Sequence, residues 1–382
     1  MAGVATEADR VHLRRAIELA RRGRGRVSPN PMVGAVIAGT DGEPIGEGWH
    51  EALGEVHAEV AALADCRGRG NDPAGATLYV SLEPCAHHGR QPPCTDAILA
   101  AAIGRVVIGC EDPTEKASGR GPGILRDEGI EVAFADGPEA AEARLLNQAF
   151  LKHARTGHPH VVYKAAVSLD GHTATTDGDS RWISSATSRA LVHRWRADAD
   201  AIAVGIGTAL ADDPLLTARD VEPTEGAGEV RQPARVVFDS TARLPLESKL
   251  IDTVSESPVI VVTGQGAEAE RLDALRGAGA EVIAADGDGA RQVTAALGEL
   301  GARGITSLLL EGGAGLAGSF LSAGELDELR VFIAPVLLGR GRPLIAGQDA
   351  AAETIAAAQR PLATEFERSG EDLLVRARLR EW

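Results

Sequence analysis

Three side chains between positions 57 and 94 could hold a metal ion, and a fourth could work beside it. His57-Ala58-Glu59 is followed by Pro84-Cys85 and then by Cys94. One imidazole and two thiolates supply three ligands to a tetrahedral zinc ion and leave one corner for water. A structural zinc site would instead be closed by a fourth protein ligand. Zinc lowers the pKa of a bound water toward neutrality, which gives a nucleophile able to attack a ring carbon that bears an amino group. Glu59, two residues after the histidine, is placed to carry the water proton to a ring nitrogen and then to departing ammonia. It can do so only if it is not itself a ligand.

Two plainer readings compete with this one. Cys66, Cys85, Cys94 and Cys110 are the only cysteines in 382 residues, too sparse for a disulfide scaffold, but free cysteines are often simply buried. Cys66 and Cys110, with no motif around them, are read that way. A closed structural zinc site with His87 or His88 as fourth ligand would leave Glu59 without a role.

The elements needed to position these groups are legible. Val56 to Ala64 reads as a helix start carrying His57 and Glu59. Thr77 to Leu82 reads as a strand, Pro84-Cys85 opens the following loop, and Cys94 to Ala102 reads as the next helix, whose N-terminus favours a thiolate. Upstream, Leu13, Ala16, Ile17 and Ala20 have helical spacing. Val33 to Ala38 and Ile45 to Trp49 read as strands joined at the Asp41-Gly42 turn. Arg105 to Gly109 is a further strand, and Pro138 to Lys152 a closing helix. The order fits an α/β/α sandwich around one sheet. Thr156-Gly157-His158-Pro159 is a turn-rich break, so the domains are expected at 1–152 and 158–382.

The second region alternates again. Strands are expected at His160 to Val167, Ala201 to Gly205, Arg235 to Phe238, Val259 to Thr263, Ser307 to Leu310, Leu329 to Ile333 and Leu373 to Leu379, with helices at Ser185 to Arg196 and Leu316 to Leu321. Residues 221–232 and 284–290 are expected to be surface loops. Gly312-Gly313-Ala314-Gly315 joins a strand to a helix, where backbone amides can hold a phosphate. Other polar segments also follow strand ends, where α/β sheets bind ligands.

A formal net charge of −16 argues against a nucleic-acid surface, and no apolar run approaches the roughly 20 residues that cross a bilayer. The run Arg21-Arg22-Gly23-Arg24-Gly25-Arg26 reads as a cationic helix end with a glycine stop. The N-terminal segment lacks the apolar core of a secretory signal. With free thiols, that points to the cytoplasm.

His-x-Glu followed by Pro-Cys and a second Cys is the pattern of the zinc-dependent nucleobase deaminases. In the common form two residues separate the cysteines; here eight do, Ala86 to Pro93. That insert narrows the resemblance. The chain resembles the bifunctional deaminase–reductase family of riboflavin biosynthesis over nearly its whole length. The segments that carry the resemblance are Asn30-Pro31-Met32-Val33-Gly34, Gly46-Glu47-Gly48-Trp49-His50, His57-Ala58-Glu59-Val60, Glu83-Pro84-Cys85 through Cys94, Glu111-Asp112-Pro113 and Gly119-Arg120-Gly121. In the second half they are Ser168-Leu169-Asp170-Gly171, Trp182-Ile183, Ala211-Asp212-Asp213-Pro214, Glu311-Gly312-Gly313 and Ala334 to Gly339.

The resemblance implies a cytidine-deaminase-like domain followed by a dihydrofolate-reductase-like domain. It implies one zinc ion, NADPH, a phosphorylated pyrimidine substrate and a homo-oligomer, a dimer or larger. His57, Cys85 and Cys94 would hold zinc, and Asn30, His50, His88, Arg90 and Asp112 would meet the substrate. In the second domain Ala166, Trp182, Thr208, Asp212, Ser240 and the loop Gly313, Ala314, Gly315, Leu316, Ala317, Gly318 and Ser319 match cofactor contacts. Ser180, Arg196, Leu216, Arg219 and Glu311 match substrate contacts, the two arginines making sense as a clamp on phosphate. Lys164 and Glu311 are the candidates for polarising or protonating the sugar. Two departures stand out. His172 occupies a place where the family usually has Lys or Arg; if that position meets a phosphate, binding would weaken as His172 loses its proton near neutral pH. Glu115-Lys116-Ala117 replaces a Pro- and Val-containing pattern. The competing enzyme reading is a zinc deaminase for another base with a non-reducing second half. A non-catalytic zinc protein that binds RNA is the alternative from another class.

Overall fold

Apolar residues in short strands, separated by helices with one apolar face, produce two main sheets, each with helices packed on both faces. The computed structural model describes residues 3–4, 6–89, 91–222, 230–347 and 352–382. They form two units, Met1–Thr156 with Trp382, and Gly157–Glu381. Among the described residues, no helix is long and apolar enough to cross a membrane.

The first unit contains strands β1 (Gly3–Val4), β2 (Gly34–Ala38), β3 (Pro44–Trp49), β4 (Thr77–Val80), β5 (Arg105–Ile108) and β6 (Glu131–Phe134). Its helices are α1 (Glu7–Ala20), α2 (Ala58–Gly68), α3 (Cys94–Ala100), α4 (Arg120–Asp127), α5 (Gly137–Leu146) and α6 (Gln148–Thr156). The sheet order is β1-β6-β5-β4-β2-β3. The β2 strand runs antiparallel to β3 and β4, and the rest are parallel. Period-2 alternation sorts the side chains. Ala35, Ile37, Leu78, Val80, Val106 and Ile108 pack with α2, α3 and α4, whereas Val36, Tyr79 and Val107 pack with α1. The sandwich expected from the sequence is therefore present.

Glycine sets how closely α2 lies on this sheet. A side chain at Gly48 would fall 2.3 Å from the Ala62 nitrogen and 2.7 Å from the Ala58 carbonyl, and one at Gly46 would fall 2.6 Å from the Ala62 carbonyl. The bare β3 backbone thus lets the first turn of α2, which carries Glu59, sit against it.

The closing helix expected at Pro138 to Lys152 is two helices. Asn147 ends α5 with φ −110° and ψ 24°. Its side-chain amide then donates to the Met32 carbonyl at 2.9 Å and accepts from the Met32 N–H at 2.8 Å. A side chain so engaged competes with the helix for the backbone. The break anchors the Asn30-Pro31-Met32 loop.

In the second unit the strands are β7 (His160–Ser168), β8 (His172–Thr175), β9 (Ala201–Gly205), β10 (Ala234–Phe238), β11 (Val259–Thr263), β12 (Glu281–Ala284), β13 (Ser307–Leu310), β14 (Glu328–Ala334), β15 (Gly341–Pro343), β16 (Ala363–Ser369) and β17 (Asp372–Arg378). Helices α7 (Ala186–Asp198), α8 (Ile206–Asp212), α9 (Lys249–Asp252), α10 (Ala269–Gly277), α11 (Gly289–Ala302) and α12 (Ala314–Ser322) connect them. A nine-stranded sheet runs β12-β11-β10-β9-β13-β7-β14-β17-β16, parallel as far as β14 and antiparallel beyond. One face packs on α11 and α12, the other on α7, α9 and α10. A separate ribbon pairs β8 with β15. The loop expected at 284–290 shrinks to the four residues between β12 and α11. Residues 223–229 of the other expected loop lie outside the described residues.

One buried ion pair ties α1 to the first sheet. Asp9 accepts from Arg105 Nη1 at 2.7 Å and Nη2 at 3.0 Å, from the Tyr79 hydroxyl at 3.0 Å and from the Thr6 N–H at 2.6 Å. Burial alone would raise the Asp9 pKa; the bonds from Arg105, Thr6 and Tyr79 outweigh it and hold the carboxyl well below its usual range. The stabilisation is therefore complete above the unfolded-state pKa of about 4 and is lost as pH falls below it. Asp9→Asn should cost about 1–3 kcal/mol at pH 7, because it removes the buried charge that the Arg105, Tyr79 and Thr6 donors face, while half-buried Arg105 keeps its bond to Glu131 at 3.0 Å. Urea melts of the two proteins should begin to converge as the pH drops below about 4 and go on converging toward the still lower folded-state pKa; a constant gap would contradict this account.

Candidate active sites

The three candidate ligands arrive from three elements. His57 is the residue just before α2, Cys85 lies in the loop after β4, and Cys94 is the first residue of α3. Their ligand atoms lie within 4.8 Å of one another, with no fourth His, Cys, Asp or Glu joining them among the described residues. His57 Nδ1 is 3.2 Å from Cys94 Sγ and 3.5 Å from Cys85 Sγ, and the Cys94 N–H points at Cys85 Sγ at 3.3 Å. Hydrogen bonding from the Cys94 thiol, opposed by burial and helped by His57, draws Cys85 down to about 4. The same contact, together with burial, pushes Cys94 up. Two thiols competing for one proton beside an imidazole form a donor set that a soft divalent cation fits.

Glu59 sits on the first turn of α2, almost wholly buried. Burial first, then the negative charge of Cys85, raises its pKa to about 7. A carboxyl in that state can both take and give a proton near neutral pH.

Asn30 and His50 come together at the same place. His50 is buried, and its ring stands 5.5 Å from that of His57. Burial lowers its pKa, so the ring is neutral. Nδ1 then donates to the Val56 carbonyl at 3.1 Å, and Nε2 accepts from Asn30 Nδ2 at 3.1 Å. The pair braces the residue before His57. Asp112, whose pKa is raised by burial, lies where the charges of His87 and Cys85 act on it. His88 is exposed, whereas His87 is half-buried with its Nδ1 buried and unbonded among the described residues. Sequence reasoning selected His88; adjacent histidines carry no signal of which one turns inward. Arg90 lies outside the described residues. Glu83 was also missed as a functional group. It is buried and accepts the Gly119 N–H at 2.8 Å and the Asp112 N–H at 3.4 Å. It thereby holds the Asp112 loop against the strand that leads to Cys85.

The second unit has a cleft of about 1090 Å³. Lys164, Ala166, Ser180, Trp182, Arg196, Thr208, Asp212, Leu216, Arg219, Glu311, Gly313, Ala314, Gly315 and Leu316 all line it. The remaining candidates do not. Ala317 is in the core, and Gly318 is packed under Ala346, whose carbonyl a side chain there would meet at 1.8 Å. Ser319 bonds the Gly315 carbonyl at 3.3 Å, and Ser240 bonds Gln292 at 2.9 Å. His172 also misses the cleft. Its ring packs over the backbone of Gly341, with Nδ1 3.6 Å from Asp170. Arg342, from the paired strand β15, faces the cleft instead.

Lys164, Arg181, Arg189, Arg196, Arg219, Lys249 and Arg342 face the cleft, against Asp212, Asp213 and Glu311. This excess of cations in a chain of net charge −16 marks a site for anions. Deepest is a fork: Arg196 Nε and Nη2 meet the two Glu311 oxygens at 2.6 and 2.9 Å. Burial would raise the Glu311 pKa, but Arg196 and Lys164 overcome it, so this carboxylate stays ionised. Burial lowers the Lys164 pKa, with Glu311 opposing. Arg196 is thus already engaged with Glu311, which leaves Arg219 as the freer half of the expected clamp. Backbone amides of the Gly313–Leu316 turn border the same space. Donors and cations of this kind fit a dinucleotide's phosphates.

Comparisons with known proteins follow the same division. The family of cytidine and deoxycytidylate deaminase zinc-binding regions matches residues 6–110, and the RibD C-terminal domain matches residues 159–375. The chain is 40% identical to the riboflavin biosynthesis protein RibD of Aquifex aeolicus over 369 residues, covering 97% of this chain and 98% of that one. It is 42% identical to RibD of Escherichia coli over 337 residues, covering 87% and 89%. Among solved structures, the diaminohydroxyphosphoribosylaminopyrimidine deaminase/5-amino-6-(5-phosphoribosylamino)uracil reductase of Thermotoga maritima aligns with a TM-score of 0.83 at 34% identity, covering 98% of this chain and 99% of that one. Acinetobacter baumannii RibD aligns with a TM-score of 0.84 at 36% identity, with the same coverage.

The donor set predicts a metal stoichiometry. After chelator dialysis and reloading, the protein should hold about one zinc per chain. Glu59→Gln should hold as much, because Glu59 is not a ligand, whereas Cys94→Ser should lose most of it. Metal loss from Glu59→Gln, measured by atomic emission, would make Glu59 a ligand and contradict the arrangement.

Proposed function

The chain belongs to the RibD family of bifunctional deaminase–reductases, and from that premise we propose that it carries out two successive steps on one phosphorylated pyrimidine. The first unit removes an amino group from 2,5-diamino-6-ribosylamino-4(3H)-pyrimidinone 5′-phosphate by hydrolysis, releasing ammonia. The second reduces the ribosyl group of the product to ribityl, with NADPH as donor, giving 5-amino-6-ribitylamino-uracil 5′-phosphate. The observation that carries the reading is the pairing, in one chain, of an open His/Cys/Cys site beside a buried Glu59 with a separate cation-lined cleft. A cytoplasmic homo-oligomer fits the family.

In the first unit His57, Cys85 and Cys94 would hold zinc, which when bound supplies the charge that makes a water proton acidic near neutral pH. Glu59 accepts that proton on its carboxylate, returns it to the ring nitrogen, and assists ammonia as it leaves. Its buried position keeps the proton from escaping to solvent. Asn30 and His50 fix the start of α2, and Asp112 and His87 border the pocket where the ring would bind.

In the second unit the reaction adds a hydride, which NADPH would supply, to the anomeric carbon as the bond from that carbon to the ring oxygen breaks, and a proton to the oxygen so released. Glu311 remains an anion and orients Arg196, so it is poorly suited to give that proton. Lys164 Nζ, a cation made more acidic by burial, is the better donor. Arg219 and Arg342 offer charge to phosphate groups, and Trp182, stacked with Arg189 at 4.6 Å, offers a flat surface at the rim.

The two sites should fail separately. Glu59→Gln should lower ammonia release by about 10²–10⁴-fold and leave NADPH oxidation on the deaminated intermediate unchanged. Lys164→Ala should do the reverse, with a loss of about 10²-fold or more in reduction. Unchanged NADPH oxidation in Lys164→Ala would remove Lys164 from the proton-donor role. If Glu59→Gln also lost reduction of the supplied intermediate, the assignment of one step to each unit would fall.

A further inference from the structure

Helix α7 presents to the cleft a histidine that neither the motifs nor the resemblance singles out. His193 lies one turn before Arg196, is half-buried and lines the cleft with it. Both hydrogen bonds of the ring among the described residues converge on one nitrogen. Nδ1 is 3.2 Å from the Thr217 carbonyl and 3.2 Å from the Arg219 backbone nitrogen. The carbonyl needs a donor and the N–H needs an acceptor, so one ring nitrogen cannot serve both. Arg196 decides between them. Its Nη1 already donates to the Thr217 carbonyl at 3.1 Å, whereas Nδ1 is the acceptor that the Arg219 N–H meets. Backbone N–H groups are seldom left without an acceptor. Nδ1 therefore accepts, and the proton of the neutral ring sits on Nε2. Burial, then the charges of Arg196 and Arg219, lowers the His193 pKa against the Thr217 contact and Glu311, which keeps the ring neutral near pH 7.

That arrangement leaves one donor uncommitted. Nε2 is on the edge of the ring away from the 217–219 backbone and makes no hydrogen bond among the described residues. The neighbouring cations are less free. All three Arg196 nitrogens are engaged, Nε and Nη2 with Glu311 and Nη1 with Thr217. Arg219 Nη1 donates to Thr217 Oγ1 at 2.9 Å, which leaves the rest of that guanidinium for a ligand. An anion that meets Arg219 needs a second donor beside it, and the Nε2–H of His193 is the one not already in use.

We propose that His193 is a further substrate-binding residue of the second unit: its Nε2–H donates to the 5′-phosphate of the substrate beside Arg219, while its Nδ1 holds the Arg219 backbone in place. This rests on the reductase reading above. A neutral donor flanked by two guanidinium groups suits an anionic acceptor, because it adds a directed bond without adding a like charge. An imidazolium would instead put a further cation beside Arg196 and Arg219, and would turn an N–H toward the Arg219 N–H.

The test separates the two ring nitrogens by binding without turnover. Calorimetry on wild type, His193→Asn and His193→Gln would give dissociation constants for the deaminated intermediate, for the same compound lacking its phosphate, and for NADPH. Asn places an amide oxygen near the position of Nδ1 and stops short of Nε2; Gln reaches as far as Nε2 with an N–H. His193→Asn should weaken the phosphorylated intermediate by about tenfold, and the phosphate-free compound and NADPH by less than about twofold. His193→Gln should recover most of the lost affinity. An Asn variant that bound the intermediate as wild type does would reduce His193 to a brace for Arg219 and overturn the contact. So would a Gln variant as weak as the Asn one, an equal loss for the phosphate-free compound, or a loss confined to NADPH; each leaves the reductase reading intact. A wild-type protein that bound neither NADPH nor the intermediate would overturn the reductase reading and this one with it. Should the variants fail to fold, nitrogen NMR of the labelled wild-type ring decides: the Nε2–H tautomer, with an Nε2 signal that moves when the phosphorylated intermediate binds, is expected, and an Nδ1–H tautomer would overturn the assignment.

Discussion

The first unit depends on a single constraint: two thiols and an imidazole must be held within 4.8 Å although they lie 37 positions apart in the chain. The elements serve that requirement in turn. The bare glycines of β3 let α2 seat its first turn, so His57 and Glu59 have fixed positions. The strand β4, in the middle of the sheet, then leads to the loop that carries Cys85, and Cys94 opens α3. Behind these ligands, uncharged His50 ties Asn30 to Val56, and Glu83 ties the Asp112 loop to the Cys85 segment. Left without a cation, the cysteines compete for a proton. The site is built for charge that the chain alone does not supply.

The second unit solves a different electrostatic problem. The whole chain is acidic, yet its cleft concentrates arginine and lysine from several elements. Charge is local in effect at these distances, so a net value excludes a broad nucleic-acid surface without excluding a phosphorylated small molecule. The Arg196–Glu311 fork shows why a burial argument alone would mislead. Burial would neutralise Glu311, but a bidentate guanidinium and a nearby ammonium keep it ionised. That shifts the proton-donor role toward Lys164.

Much of this was legible in the sequence, because motifs with obligatory residue types survive translation into chemistry. The candidate zinc ligands, Glu59 and the strand–helix order could be read from type and spacing, and most of the cleft residues from the family resemblance. What could not be read depends on contacts between distant segments. Gly46 and Gly48 stood out as a motif, but their purpose, a close approach by α2, requires the helix to be seen. The break at Asn147 requires Met32. His87 and His88 are neighbours of one type, and only the fold turns one of them inward. That Arg342 rather than His172 lines the cleft depends on the pairing of β8 with β15.

The central claim is that one chain couples hydrolytic deamination to reduction. The most direct measurement is an assay of the zinc-loaded protein with the diaminopyrimidine ribosyl phosphate and NADPH, following ammonia and NADPH together. The account predicts ammonia first and NADPH oxidation after it, reaching equal totals. Ammonia with no NADPH oxidation would confine the activity to the first unit and contradict the coupled reading. Neither signal, with zinc confirmed in place, would mean that the substrate is a different one.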